Sequence, residues 1–523
     1  MNNDTLLLID LSKNFDFIEK NKSYICLDKG RINLSNCKKI KLKNFSNYKK
    51  KNYKLLIQKF RKLILDNPKN KFFLSEMEIF NLRNDRYEFP DRILNFLIIK
   101  KIIIEKKIKK IKIISDKNST LKIFDNWNLK VEKKDFSKVD CKIKFPNLKI
   151  IKFLIKTIFL IFFLKFLKKQ KNNLNKKNFF YMSLYPNKFS YAKGDLFENN
   201  EGNICNFLLS DETHLNLNIL KLFQYAKKMN DKNILNIEKF INVSDILLLL
   251  TKHFYNLIIF KKIKKISINF DGLNFEDELS DIYLGSYINR SKLEIYSKAI
   301  PRFLKENNVS NINLYLFEYS FGFFLTRSIR EFSDKIKISG FQHGVFSNNL
   351  MWFDIINSFN FRKIYTPDNI YCLNKLSLKD YKFKFKNTNI SVVKNKNIKK
   401  NSKFINDIII NKKSNQILVL PGLHDVKDMY FFAKNLFLSN KRFKFYFKLH
   451  PKNKFYFKTN EKIKKISNLK NKIFRKVIIS QNSSLPFDFL NSKRTFSVID
   501  FDYKQNYIST YLYNNKKINF IKY

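Results

Sequence analysis

Apolar and polar positions along the 523-residue chain fall into short runs that switch between strand and helix periods. Leu6 to Ile9 is a continuous apolar run closing on Asp10, which predicts a first strand buried on both faces. After Pro90, RILNFLIIKKIIIEKKIKK predicts a helix. Ile111 to Asp116 (IKIISD) then predicts a buried strand, and DNWNLKVEKKD another short strand after a turn. This alternation favours a mainly parallel sheet, so residues 1–148 are expected to form an N-terminal α/β region. Beyond it, KIIKFLIKTIFLIFFLKFLKKQKNN predicts a basic, apolar helix over 149–172. Lys156 and Lys165 are separated by TIFLIFFL alone, far short of the roughly 20 apolar residues a membrane span needs. A helix lying in a bilayer interface, with lysines snorkelling to anionic headgroups, and a helix packed on the protein both fit; spanning fits least.

A new unit opens at Asn178 with FFYMSLYPNKFS, followed by helical segments around Ile219 to Met229 and Ser244 to Phe260. The acidic stretch Phe270 to Asp281 could bind a metal, but its spacing is irregular and a solvated loop is the favoured reading. From Asn313 to Leu373 the elements converge. A strand, Leu314 to Phe317, runs into Glu318, and a helix carries Arg327 and Arg330. A second strand, Lys337 to Ser339, leads into Gly340, Phe341, Gln342, His343 and Gly344. Three of the nine glycines fall in this stretch. Residues 173–360 are expected to complete the N-terminal domain, and 361–523 to form a C-terminal one. Within the latter, Lys382 to Lys413 is Lys/Asn-rich and reads as an exposed loop. The tail from Arg494 reads as one more strand followed by irregular or helical structure.

The formal charge of +57, from 102 basic and 45 acidic residues, invites a nucleic-acid or membrane reading. Lys, Asn, Ile, Phe and Tyr are inflated together, however, and share A- and T-rich codons. The lysines are also spread along the chain instead of forming one arm, so composition accounts for most of the charge. No nucleic-acid partner is expected, while an anionic membrane surface remains open. The five cysteines are scattered with no C-x-x-C pair, which predicts reduced thiols in a cytosolic protein and no metal site. The N-terminal MNNDTLLLIDLSKN has too short an apolar run, and no basic n-region, for a signal peptide.

Candidate chemistry gathers at strand ends. Gly422 and His424 follow one predicted strand, and Lys448, His450 and Pro451 another. Ser480 ends a third, with Ser483 and Ser484 opening a helix. In a doubly wound sheet such ends share one crevice. Hydroxyls at a helix start, with its free N–H groups, suit a phosphate, and a nearby histidine can protonate a departing one. Ser483 as a plain N-cap and His450 as a loop residue are the ordinary alternatives. Glu318, at an apolar strand end, is a candidate base with a carboxyl raised by burial; pairing with Arg327 or Arg330 is its alternative. His343 is a second candidate at the acceptor, or a turn residue. No GxGxxG, P-loop or GxSxG is present.

The ordered set of Glu318 with its following aromatic, GFQHG, TPDNIYCLN, FKLHP and a Ser-Ser helix start resembles bacterial surface-carbohydrate biosynthesis proteins. The HP and Ser-Ser pair is similar to that of bacterial sialyltransferases and capsule transferases. The resemblance is best over 178–490 and implies an α/β, GT-B-like fold: two Rossmann-like domains with a cleft between them. It implies a donor nucleotide, CMP favoured, contacted by His450, Pro451, Ser483 and Ser484, with Glu318 as the base. The strand-end reading adds Gly422, His424 and Lys448 beside them in a nucleotide-sugar-binding domain expected at 361–523, adds His343 to Glu318 and His450 as a catalytic candidate, and leaves Gln342, Gly344 and Arg327 as expected acceptor-side or cleft residues. The sialyltransferase acidic motif has two acids and a glycine, whereas Tyr319 and Ser320 follow Glu318 here. The resemblance therefore implies a peripheral, cytoplasmic-face glycosyltransferase using a nucleotide-sugar substrate, a glycan or glycolipid acceptor and no cofactor. A polyol-phosphate transferase and a non-catalytic glycan-binding or assembly protein are the alternatives.

Overall fold

The computed structural model describes residues 4–12, 15–28, 32–65, 89–136, 146–167, 178–183, 203–208, 219–231, 234–251, 269–270, 272–275, 277, 293–315, 320–342, 354, 362–386, 388–393, 404–422, 425–450, 453, 455–456, 459–469, 472–481, 483, 485–492, 494–501, 515 and 518–523. Most of its strands belong to three large sheets, each wholly parallel in the pairings between the described strands. The fold class is α/β, as the sequence indicates.

The first sheet contains Thr5–Asp10, Ser23–Cys26, Lys38–Lys39, Lys110–Ser115 and Lys130–Asp135. Numbered by their order along the chain, its strands lie 3-2-1-4-5 across the sheet. Side chains alternate faces along a strand, so Leu6 and Leu8 enter one apolar cluster while Leu7 and Ile9 enter another. Burial on both sides explains the unbroken LLLI run. The Phe89–Glu105 helix is apolar nearly all round and is correspondingly interior, with Ile93, Phe96, Ile98 and Ile102 buried.

The second sheet contains Phe179–Ser183, Asn203–Asn206, Leu235–Asn236, Asn311–Tyr315, Lys337–Phe341, Asn369–Cys372 and Asn389–Val392. It repeats the same plan in the order 3-2-1-4-5-6-7. Its apolar core is continuous with that of the first sheet. A hairpin, Asn269–Phe270 with Leu273–Asn274, helps join them. The Asn274 N–H donates to the Ile123 carbonyl at 3.1 Å, and Phe275 packs edge-on against Phe89 and Phe96. Leu273 and Phe275 are buried, so the stretch expected to be a solvated loop delivers apolar side chains to the core instead.

The third sheet contains Gln416–Leu420, Lys444–Phe447, Ile463–Lys465, Lys476–Ile479, Phe496–Asp500 and Ile518–Lys522, in the order 3-2-1-4-5-6. Its two faces fill separate clusters, Leu418, Leu420 and Val498 on one side and Ile417, Val419 and Ile499 on the other. Phe496–Asp500 is the strand expected in the tail; 502–514 lie outside the described residues, and Ile518–Lys522 forms a further strand in register with Phe496–Asp500 where irregular or helical structure was expected.

The 360/361 boundary falls inside the second sheet, because Asn369–Cys372 pairs with Lys337–Phe341 and Asn389–Val392 continues it. The segment 382–413 is likewise more than an exposed loop. It ends the Lys375–Lys384 helix, supplies an edge strand and buries Ile405 and Ile408. The basic apolar helix runs from Pro146 to Phe166. Leu154, Leu160, Ile161 and Leu164 are buried, and Phe163 stacks on Phe223 with ring centroids 4.3 Å apart. No described helix is long and apolar enough to cross a membrane.

Candidate functional site

Each 3-2-1-4 strand order creates a switch point. The chain leaves strands 1 and 4 in opposite directions, opening a crevice beyond their C-terminal ends. In the third sheet those strands are Gln416–Leu420 and Lys476–Ile479, with Leu420 opposite Ile479. Their continuations, Pro421-Gly422 and Ser480-Gln481, therefore emerge side by side, and the Ser480 N–H donates to the Leu420 carbonyl at 3.0 Å. Val419 lies opposite Phe447, so Lys448 follows on the next strand, its N–H donating to the Val419 carbonyl at 3.1 Å. Gly422 and Lys448 thus emerge from neighbouring strands at one sheet edge, and His450 and Ser483 follow within four residues of the ends of the Lys444–Phe447 and Lys476–Ile479 strands. His424, Pro451 and Ser484 lie outside the described residues.

The electrostatics of this edge are specific. Asp425 precedes the Val426–Ser439 helix, is buried, and accepts a hydrogen bond from the Ser480 hydroxyl. Asp428, in the first turn of that helix, is buried too. Two carboxylates already complement the positive helix end, so a phosphate there would meet like charge. Ser483 accepts from the Leu485 N–H at 3.2 Å, the local capping role given above as its alternative. The Leu485–Asn491 helix has seven residues and carries Asp488 in its first turn. Lys448 donates from Nζ to the Ser467 carbonyl at 2.7 Å, and His450 is exposed.

The other anticipated residues are near strands of the second sheet along the chain. Glu318 follows the Asn311–Tyr315 strand, and His343 and Gly344 follow Lys337–Phe341; all three lie outside the described residues. Gln342 is buried and used within the fold. Its amide nitrogen donates to the Ser377 hydroxyl at 3.0 Å and its oxygen accepts from the Leu373 N–H at 3.0 Å. It fixes the strand end to the next helix, a strut where a cleft-lining contact was expected. Arg327 pairs with Glu331 at 2.7 Å and Arg330 with Asp368 at 2.6 Å. At the same C-terminal edge, Ser183 lies opposite Asn206, and Asn206 opposite Asn236. Both asparagines are buried. Neither amide atom of Asn206 has a hydrogen-bond partner, and the Asn236 side-chain oxygen lacks one.

The first sheet carries a polar cluster at its own switch point that strand-end reading passed over. Asp10 ends strand 1 and is fully buried. It accepts from Arg92 Nη1 at 2.8 Å, from Lys117 Nζ at 2.9 Å and from the Thr120 hydroxyl. Lys117 also reaches Asp28 at 2.7 Å. Ser115, ending strand 4, donates from its hydroxyl to the Asp10 carbonyl at 2.9 Å. Burial raises the Asp10 carboxyl, but the Arg92 and Lys117 cations overcome this and hold it well below the usual carboxylate range. The signal was present: LLLID and IKIIS each end an apolar run on a polar residue. Among the described residues, no group of three or more His, Cys, Asp or Glu is placed to hold a metal ion.

Comparison with protein-family models, with curated proteins and with solved structures finds no match to this chain.

Proposed function

We propose that this chain is a GT-B-like glycosyltransferase that moves a sugar from a nucleotide-sugar, CMP-activated by preference, to a growing surface polysaccharide or lipopolysaccharide. One observation carries the reading. The third sheet's strand order and register set three strand ends side by side at its switch point, and Gly422, Lys448, His450 and Ser483 follow those ends along the chain. In this reading the third sheet binds the donor and the second sheet faces the acceptor across a cleft.

Glu318, after the Asn311–Tyr315 strand, takes the proton of the acceptor hydroxyl as its oxygen bonds to the anomeric carbon. The bond from that carbon to the donor phosphate breaks, and the nucleotide leaves with the electron pair. His450 stabilises or protonates the departing phosphate. Because Asp425 and Asp428 occupy the 426–439 helix start, the phosphate is assigned to the side of His450 and Ser483. His343 and Gly344 line the cleft. Asn206 and Asn236 are neutral and offer both donors and acceptors, which suits acceptor sugar hydroxyls better than a charged group.

Nucleotide release tests this reading. Purified protein is incubated with CMP-, UDP- and GDP-sugars and with a CMP-activated polyol phosphate, with and without a glycan acceptor fraction, and free nucleotide is measured. Acceptor-dependent release that is abolished in Glu318→Gln supports the reading. Release from a CMP-activated polyol phosphate alone would replace it with polyol-phosphate transfer, and no release from any donor would leave a glycan-binding or assembly protein.

A further inference from the structure

The Pro146–Phe166 helix shows the solvent an apolar face that the fold does not need. Its inward side, Leu154, Leu160, Ile161 and Leu164, is buried. Its outward side carries Ile155, Phe159, Phe162 and Phe166, which are 48%, 53%, 47% and 85% exposed. At about 3.6 residues per turn these four positions lie within roughly 60° of one another, a single stripe. Lys152 borders the stripe on one side and Lys165 on the other, both exposed. Leu220, exposed one turn before the Phe223 that stacks on Phe163, adds apolar surface on the neighbouring helix.

We infer that this face docks the protein on an anionic bilayer surface, with the helix lying in the plane of the membrane. This goes beyond the transferase reading and does not depend on it. Three observations select this occupant. A stripe of large apolar side chains, mostly aromatic, bordered by lysines matches the boundary between acyl chains and anionic headgroups. From Ile155 to Phe166 the stripe is about 16 Å long, half of the roughly 30 Å hydrocarbon core, so it suits lying on a bilayer and not crossing one. The chain is strongly basic, with 102 Lys and Arg against 45 Asp and Glu, so an anionic surface attracts it while a second copy of the same chain repels it.

The test is co-sedimentation of the full chain with vesicles of phosphatidylcholine alone and of phosphatidylcholine with phosphatidylglycerol. Three variants accompany the wild type: Phe159→Asp/Phe162→Asp, Phe166→Asp, and Leu438→Asp as a control at an exposed position on the Val426–Ser439 helix. Phe166 is the most exposed of the four, so its variant keeps the test valid if the double variant fails to fold. Wild type is expected to bind anionic vesicles, more weakly at high salt. Binding should fall at least about tenfold in both stripe variants and by no more than about twofold in the control. Failure of wild type to bind anionic vesicles overturns the inference. So does unchanged binding by folded stripe variants, or a wild-type dimer that those variants convert to monomer with vesicle binding intact.

Discussion

Replacing Arg92 with alanine tests how the first sheet tolerates a fully buried carboxylate on its central strand. Asp10 is satisfied by Arg92 at 2.8 Å, by Lys117 at 2.9 Å and by the Thr120 hydroxyl. Lys117 is shared with Asp28, whereas Arg92 bonds both Asp10 and the Thr120 hydroxyl that itself donates to Asp10. Removing one partner of a buried pair costs about 3–5 kcal/mol, because the remaining charge stays desolvated. With a urea dependence on the order of 3 kcal/mol per molar for a unit of this size, the midpoint should fall by roughly 1–1.7 M. Asp10→Asn/Arg92→Ala should lose less than the sum of its single variants, since the two groups act as a pair. The sign with pH follows from the lowered Asp10 pKa. Its stabilisation is complete above the unfolded-state value of about 3.9 and is lost as pH falls from there toward the folded-state value. The gap between wild type and Arg92→Ala should therefore narrow below about pH 4. The assay is urea unfolding followed by circular dichroism at pH 7 and pH 3. A midpoint shift under about 0.3 M, or strict additivity of the two substitutions, would refute the reasoning.

Other expectations follow from single contacts. Gln342→Ala strands the Leu373 N–H and the Ser377 hydroxyl and should cost about 1–3 kcal/mol in thermal unfolding; an unchanged melting temperature would contradict the strut role. Gly272→Ala should cost about 1–2 kcal/mol through its backbone alone. Gly272 has φ +82°, and an added Cβ would meet Trp127 at 3.8 Å, an ordinary contact, so a cost near zero in urea unfolding would count against a strained turn. Asn206→Leu removes a buried amide with no hydrogen-bond partner, so stability should hold or rise by up to about 1–3 kcal/mol. On the acceptor reading, the same substitution should raise KM for the glycan and leave the donor KM unchanged. Lower stability with unaltered acceptor kinetics would remove Asn206 from the acceptor site.

The strands legible in the sequence are those buried on both faces. LLLI, ILVL and VII announce themselves because nothing polar interrupts them, IKII is broken only by Lys112, and each belongs to a central strand of its sheet. Shorter strands toward the sheet edges were harder to read. Ser23–Cys26, Asn389–Val392 and Ile463–Lys465 are three or four residues long with mixed exposure, so neither period emerges. That is why a Lys/Asn-rich stretch concealed an edge strand and why the domain boundary was drawn inside a sheet. The site divides in the same way. Gly422, Ser480 and Lys448 each follow a central strand, and a polar residue closing an apolar run is a local pattern. What the polar ends do there depends on partners distant in sequence. Gln342 is bound by Leu373 and Ser377, Ser480 by Asp425, and Asp10 by Arg92 and Lys117. No local pattern encodes those pairings. The final strand is hidden for a related reason: INFIK is half exposed and pairs in register with Phe496–Asp500.

On the proposed function, the third sheet's switch point holds a nucleotide. Isothermal titration calorimetry of the full chain with CMP, UDP and GDP, repeated on His450→Ala, tests it most directly. The account predicts saturable binding strongest for CMP and weakened about tenfold or more in the variant, through loss of a charge-assisted hydrogen bond to phosphate. No heat of binding with any of the three, from protein shown to be folded, would contradict it.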